Sequence, residues 1–332
     1  MKNIIKLDTT ILSAASVVGK KEYEGPYGDE FDIHDETDKF GEDTWEKAES
    51  SMQRAALNTA ILKSGIDEGV IDALFAGDLM NQCTGSAYGL LGFDMPYFGL
   101  YGACSTAAES LMLASIMTSY GAFDYCGAIT SSHFCSAERQ YRNPLEYGGQ
   151  RPPTSQWTVT GSGAFIVGKG GRVRVTEALP GIVIEKGIRD ANNMGAAMAP
   201  AAADTLLRYY SKKSNSICDI DVIVTGDLGF EGSEIFKDLI SKKLPEISDK
   251  LTDCGMLIYD RKAQDVHSGG SGCGCSAVML AAHFLPKLEC GEIKKMIFMA
   301  TGAMMSPMTL LQGEAIPGIA HLLVLESVLK DK

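Results

Sequence analysis

A cysteine stands where a helix should begin: Gly102-Ala103-Cys104-Ser105-Thr106-Ala107 runs into an apolar, helix-forming stretch. A sulfur at a helix N-terminus faces unpaired backbone N–H groups and the positive end of the helix dipole, which stabilise a thiolate or a bound anion. The plainer alternative is a buried thiol that fills space. A second turn of this kind, His267-Ser268-Gly269-Gly270-Ser271-Gly272-Cys273-Gly274-Cys275, opens another apolar helix. It makes His267 and Ser271 candidates for the same site. Asp227 joins them from the Gly226-Asp227-Leu228-Gly229 turn that closes an apolar run. Of the 5 histidines, His133, His267 and His321 flank Gly- or Ser-rich strand ends, where open α/β sheets gather site residues. His34, in an acidic stretch, reads as a solvated surface residue, and His283, on an apolar helix face, as a satisfied core residue. Cys273-Gly274-Cys275 has no second pair at zinc-finger spacing, and no glycine group completes G-x-G-x-x-G or a P-loop. Neither a metal nor a nucleotide cofactor is expected.

These residues need a scaffold, and the scaffold is written twice. Residues 44–63 place Trp45, Ala48, Met52, Ala55, Ala56 and Ala60 at helical spacing, with charged residues between them. An apolar run at 70–79 follows, ending in Gly77-Asp78-Leu79, which predicts a buried strand. Residues 201–211 and 220–229 repeat helix, strand and the Gly-Asp-Leu ending. The two cysteine turns correspond, as do the strands carrying Thr130 and Thr301 and the closing strands at 161–167 and 318–324. A repeat this long is a duplicated domain, with halves at 1–170 and 171–332. The first half carries an insertion at 131–160, rich in aromatic residues, Arg, Gly and Pro, without a clear period. Following a strand end, it should lie over a site.

Composition narrows the class of function. Against 42 Asp+Glu stand 30 Lys+Arg, a formal charge of -12, so the average surface repels nucleic acid. The chain has 9 Cys, an odd count, and its opening residues read as a first strand and not as a cleavable leader. Reduced thiols in a cytosol-like compartment are therefore expected. The one uncharged stretch of membrane-span length, residues 266–286, is a Gly-, Ser- and Cys-rich turn followed by a buried helix. Any membrane association would be peripheral.

Ala103-Cys104-Ser105-Thr106 resembles the nucleophile turn of the thiolase and ketoacyl synthase superfamily, in which the cysteine takes an acyl group as a thioester. That resemblance implies His/His or His/Asn partners from the second half. Where the first should follow Thr225 this chain has Asp227, and the turn before Ser276 contains no Asn. Spacing leaves open whether His267 occupies an equivalent position. The nucleophile position is kept and its partners are not, so condensation is not expected. The rival reading is a Cys104-dependent acyltransferase or condensing enzyme acting on a coenzyme A thioester.

Closer still, Trp45-Glu46-Lys47-Ala48-Glu49, Ser131-Ser132-His133-Phe134, Gln150-Arg151-Pro152-Pro153-Thr154, Ser271-Gly272-Cys273-Gly274-Cys275 and Ile316-Pro317-Gly318-Ile319-Ala320-His321 resemble the stage V sporulation protein AD family. The resemblance implies a duplicated thiolase-like α/β fold with five α-β-α-β-α layers and two central helices. It implies binding of dipicolinate (pyridine-2,6-dicarboxylate), alone or with calcium, for transport into the spore and release at germination. It also implies a peripheral place at the spore inner membrane beside other stage V sporulation membrane proteins, and, by analogy with the fold, a homodimer. A flat aromatic dianion wants cations at its carboxylates and aromatic walls at its ring. Arg139, Arg142 or Arg151, with Phe134, Tyr141 or Trp157, could provide these around Cys104, His133, Asp227, His267, Ser271 and His321. Arg151, held among prolines, is expected to matter most, and the Cys104 side chain little. A purely structural subunit with a vestigial pocket would bind nothing.

Overall fold

A computed structural model describes residues 4–141, 150–213 and 219–329. The helix expected near the N-terminus spans Trp45–Ser64. Thr44 caps it by accepting the Lys47 N–H at 3.3 Å, and Gly65 ends it in the left-handed region at φ 71°. The insertion is less irregular than its composition suggests: Phe134–Tyr141 is a helix and Trp157–Thr158 a short strand. Arg142 lies outside the described residues.

The strands fall into two series of the same design. In the first, Tyr97–Gly99, Ala73–Gly77 and Cys126–Ser132 lie parallel, followed by antiparallel Gly161–Gly168 and Ile5–Val18. In the second, Leu251–Asp253, Val222–Thr225 and Lys295–Ala303 lie parallel, followed by antiparallel Gly318–Ser327 and Val173–Leu179. Ile5–Val18 also pairs with Val173–Leu179, so one hydrogen-bonded path joins both series.

Period-two alternation separates the layers. In the first sheet Leu74, Ala76, Ala164 and Ile166 pack outward on Met52, Ala56 and Leu57 of the long helix. Phe75, Phe165 and Val167 face inward on the helix Thr106–Ser119. In the second sheet Phe298, Leu323 and Leu325 join that same central cluster, while Ile297, Met299, Leu322 and Val324 turn outward to the helix Met194–Tyr210. Thr106–Ser119 and Cys273–Met279 form the middle of the five layers.

The two cysteine helices are not perfect copies. The second begins at Cys273, so Cys275 lies inside its first turn and gives its thiol hydrogen to the Gly226 carbonyl at 3.7 Å. It continues as a π-helical turn, Leu280–Phe284, and a short helix, Leu285–Glu289. Among the described residues no helix is long and apolar enough to cross a membrane.

Candidate functional site

Cys104 is buried, directly ahead of the helix Thr106–Ser119. Ala103 before it holds φ 51°, a conformation that costs a side chain of order 1–3 kcal/mol and is retained by the surrounding packing. Contrary to the expected free anion hole, the first N–H groups are engaged. Ser105 N–H bonds Gly102 O at 3.1 Å and Thr106 N–H bonds Ala103 O at 3.2 Å.

Across from the thiol stand Ser271 and Asp227. Cys104 Sγ lies 3.9 Å from Ser271 Oγ, which donates to Asp227 Oδ2 at 3.2 Å. Asp227 also accepts from the Gly272 N–H at 2.9 Å and the Thr301 hydroxyl at 2.8 Å. Burial lifts its carboxyl to about 6, against these hydrogen bonds. Burial, and after it the Asp227 carboxylate, push the Cys104 thiol well above its ordinary value. A group built to attack a thioester needs the reverse, a thiolate held by a cation or an imidazolium.

The cavity above Cys104 measures about 30 Å³, room for a water or two. Leu79, Tyr101, Tyr141, Thr158, Met194 and Met305 wall it, with Glu138 and Ser271, and among the described residues no Lys, Arg or His lines it. Two of the lining residues, Tyr101 and Tyr141, are hydrogen-bonded to each other through their hydroxyls, and Tyr141 donates to the Leu79 carbonyl.

Of the residues singled out from sequence, the fold brings together Cys104, Asp227 and Ser271. His133 lies elsewhere, fully occupied: Nε2 donates to Asp38 O at 2.7 Å and Nδ1 accepts the Cys135 N–H at 3.1 Å. Burial lowers its pKa. His321 accepts the Gly181 N–H at 3.1 Å, and burial takes it down to about 4. His267 sits at φ 52° with Nε2 3.5 Å from Asp265. Arg139 pairs with Glu46 beside Trp45.

Trp157 and Arg151 take the opposite face from the cavity. In the short strand, Thr158 faces Cys104 and its neighbour Trp157 therefore points away, stacked on Phe134 at 3.7 Å. Arg151 lies 4.6 Å from the indole and donates to the Asp265 and Gln156 carbonyls at 2.6 and 3.5 Å. The guanidinium thus lies beside main-chain oxygens and not beside the thiol.

Sequence reasoning overlooked Asp253. It accepts from Thr225 Oγ1 at 2.7 Å and from the N–H groups of Leu228 and Gly229 at 2.8 and 2.9 Å, and so holds the turn carrying Asp227. Thr301 was marked only as a repeat partner of Thr130. The repeat itself pointed to Asp78 as the counterpart of Asp227. Asp78 is buried, accepts from the N–H groups of Met80 and Ser86 and from the Ser86 hydroxyl, and is raised by burial.

The profile of the family described as Stage V sporulation protein AD matches residues 2–326. This chain belongs to that family. Stage V sporulation protein AD of Bacillus subtilis (strain 168) is 41% identical over 315 residues, covering 95% of this chain and 93% of that protein. Among solved structures, an OleA variant of Xanthomonas campestris is similar with a TM-score of 0.61 at 12% identity, covering 98% of this chain and 100% of that one. The 3-oxoacyl-[acyl-carrier-protein] synthase III of Aquifex aeolicus VF5 gives 0.58 at 11% identity, over 96% and 99%. At these identities the likeness establishes the thiolase-like fold.

Proposed function

We propose that this sporulation-family protein binds dipicolinate, free or as its calcium complex, and serves its passage into the developing spore and out at germination. In this reading it sits peripherally at the spore inner membrane with other stage V sporulation membrane proteins. One observation carries it: a family member keeps the buried thiol of a thiolase-like pocket and sets behind Ser271 a carboxylate that disfavours the thiolate which condensation needs. Such a pocket is better suited to holding than to attacking.

Its charge favours one form of the ligand. Among the described lining residues, Ser271, with Asp227 behind it, presents oxygens and no cation. A bare dianion is repelled there, whereas calcium held by dipicolinate keeps coordination positions open to carboxylate and hydroxyl oxygens. Entry of the ring requires the walls, Tyr101 and Tyr141 among them, to move apart, because a cavity of about 30 Å³ is too small for it.

Calorimetric titration of the whole chain should show calcium-dipicolinate binding about tenfold or more tighter than dipicolinate alone. Cys104→Ala should weaken binding by no more than about threefold, since the thiol is a neutral wall. Arg151→Ala should leave it unchanged, the reverse of the expectation from sequence. Absence of binding to either form would end the reading.

The same reading includes a homodimer. The strand Tyr97–Gly99 is a sheet edge with Tyr97 37% and Phe98 45% exposed. An open aromatic edge is a ready template for another copy across a two-fold axis. Sedimentation at micromolar concentration should give a dimer, and a monomer there would refute the pairing.

A further inference from the structure

Gln156, from the first half, is fully buried and ends in a neutral group that offers two N–H donors on a single nitrogen. Both go to main-chain carbonyls of the second half: Nε2 donates to Asp227 O at 2.7 Å and to Gly270 O at 3.0 Å. These partners fix the orientation of the amide, because an oxygen turned toward two carbonyl oxygens would be repelled. Oε1 is left buried without a hydrogen-bond partner among the described residues. An unpaired buried acceptor works against folding, and such a group calls for a role that outweighs the loss.

The two carbonyls belong to the two turns that meet at the thiol. Trp157–Thr158 pairs in parallel with the short strand Gly270–Ser271, and its rungs, Trp157 N–H to Gly269 O and Val159 N–H to Ser271 O at 2.8 Å each, take alternate carbonyls. Gly270 O, between them, is taken by the Gln156 side chain, and the same nitrogen takes the main chain of Asp227. Gly229 makes the approach possible: at φ 65°, a Cβ there would lie 2.8 Å from Gln156 Nε2 and 2.2 Å from Ser268 O. The turns are thus joined twice, through their main chains by Gln156 and through Ser271 Oγ and the Gly272 N–H by Asp227 Oδ2.

We infer that Gln156 is a positioning residue of the Cys104 pocket: an amide from the first half sets the spacing of Asp227 and Ser271, and so keeps the carboxylate one hydroxyl away from the thiol. The inference rests on the reading of that cavity as the binding site, and not on what it holds. With the amide gone, two buried carbonyl oxygens that had shared one nitrogen draw in water or move apart. Either change weakens the field of the carboxylate at the sulfur.

Gln156→Met keeps the length of the side chain and removes both N–H groups. In the whole chain carrying it, iodoacetamide at pH 8 should modify Cys104 about fivefold faster relative to Cys290, and the pH of half-maximal reactivity should fall by roughly half a unit or more. The double variant Gln156→Met with Asp227→Asn should react no faster than Asp227→Asn alone, because the amide acts through the carboxylate. Gln156→His, which retains one ring N–H, should accelerate modification by about twofold, and it decides the matter if the Met variant does not fold. Wild-type reactivity in a folded variant, or accelerations that multiply in the double variant as a merely structural loss would make them, would overturn the inference. No ligand enters these measurements, so they stand whether or not dipicolinate binds.

Discussion

At pH 8, Asp227→Asn should raise the rate at which iodoacetamide modifies Cys104 by about tenfold or more. The wild-type thiol is held protonated by burial and by the carboxylate behind Ser271. Asparagine keeps an oxygen for the Gly272 N–H but removes the negative charge. In an intermediate dielectric, one charge at contact distance shifts a thiol by more than one pKa unit. Cys290, the exposed cysteine among those described, supplies the internal reference. Peptide mapping by mass should show Cys104 reacting more slowly than Cys290 in the wild type, and no stable acyl adduct on Cys104 after incubation with acyl-coenzyme A. Fast wild-type alkylation, or an adduct lost on Cys104→Ser, would return the protein to the acyl-transferring enzymes.

A second large effect concerns pH. Burial raises Glu22 to about 7, Glu49 to about 8 and Asp253 to about 7, and Asp227 to about 6. Unfolded, these carboxyls titrate near their ordinary values, so between pH 4.5 and 8 the unfolded chain has lost protons that the native one retains. Stability from such groups is fully present below the unfolded pKa and falls as pH rises through the folded one. His133 and His321 act in the opposite sense, since their depressed values withdraw stability as pH drops below 6.5. The carboxyls outnumber them. The free energy of unfolding from denaturant titration should therefore be higher at pH 5.5 than at pH 8.5, by several kcal/mol at about 1.4 kcal/mol per pKa unit. Glu49→Gln, which keeps acceptor and donor groups for the hydroxyls of Ser131 and Ser136, should flatten that slope. A slope that is unchanged, or of opposite sign, would show that Glu49 is ionised in the native state.

Much of the scaffold was legible because period and punctuation are local properties. The three- and four-residue spacing over residues 44–63 announced the first long helix, and the Gly-Asp-Leu endings announced two strands that do occupy matching places in the sheet. The site was harder to read because it depends on which side of a strand a residue faces. Trp157 and Thr158 are adjacent in sequence, yet one meets Phe134 and the other Cys104. Composition favoured the aromatic one, and the pleat of a two-residue strand set the other toward the thiol. His133 was misleading for a similar reason. It does end a strand, but a main-chain carbonyl and an N–H group from its own side of the fold occupy both ring nitrogens. Asp253 gave no signal, since a three-residue strand carries too little pattern to be noticed.

The duplicated Gly-Asp-Leu turn has a consequence for how this fold can change over generations. Asp78 is enclosed by Ser86, and Gln53 ties that serine to Ser131, the hydroxyl that serves Glu49. An altered residue there is felt as a folding defect. Its twin Asp227 has the same turn beneath it, secured separately by Asp253, and stands one serine away from the Cys104 cavity. An altered residue there is felt first by whatever occupies the cavity. Lineages can therefore exchange one kind of cargo or chemistry for another at the second turn while the first continues to anchor the architecture.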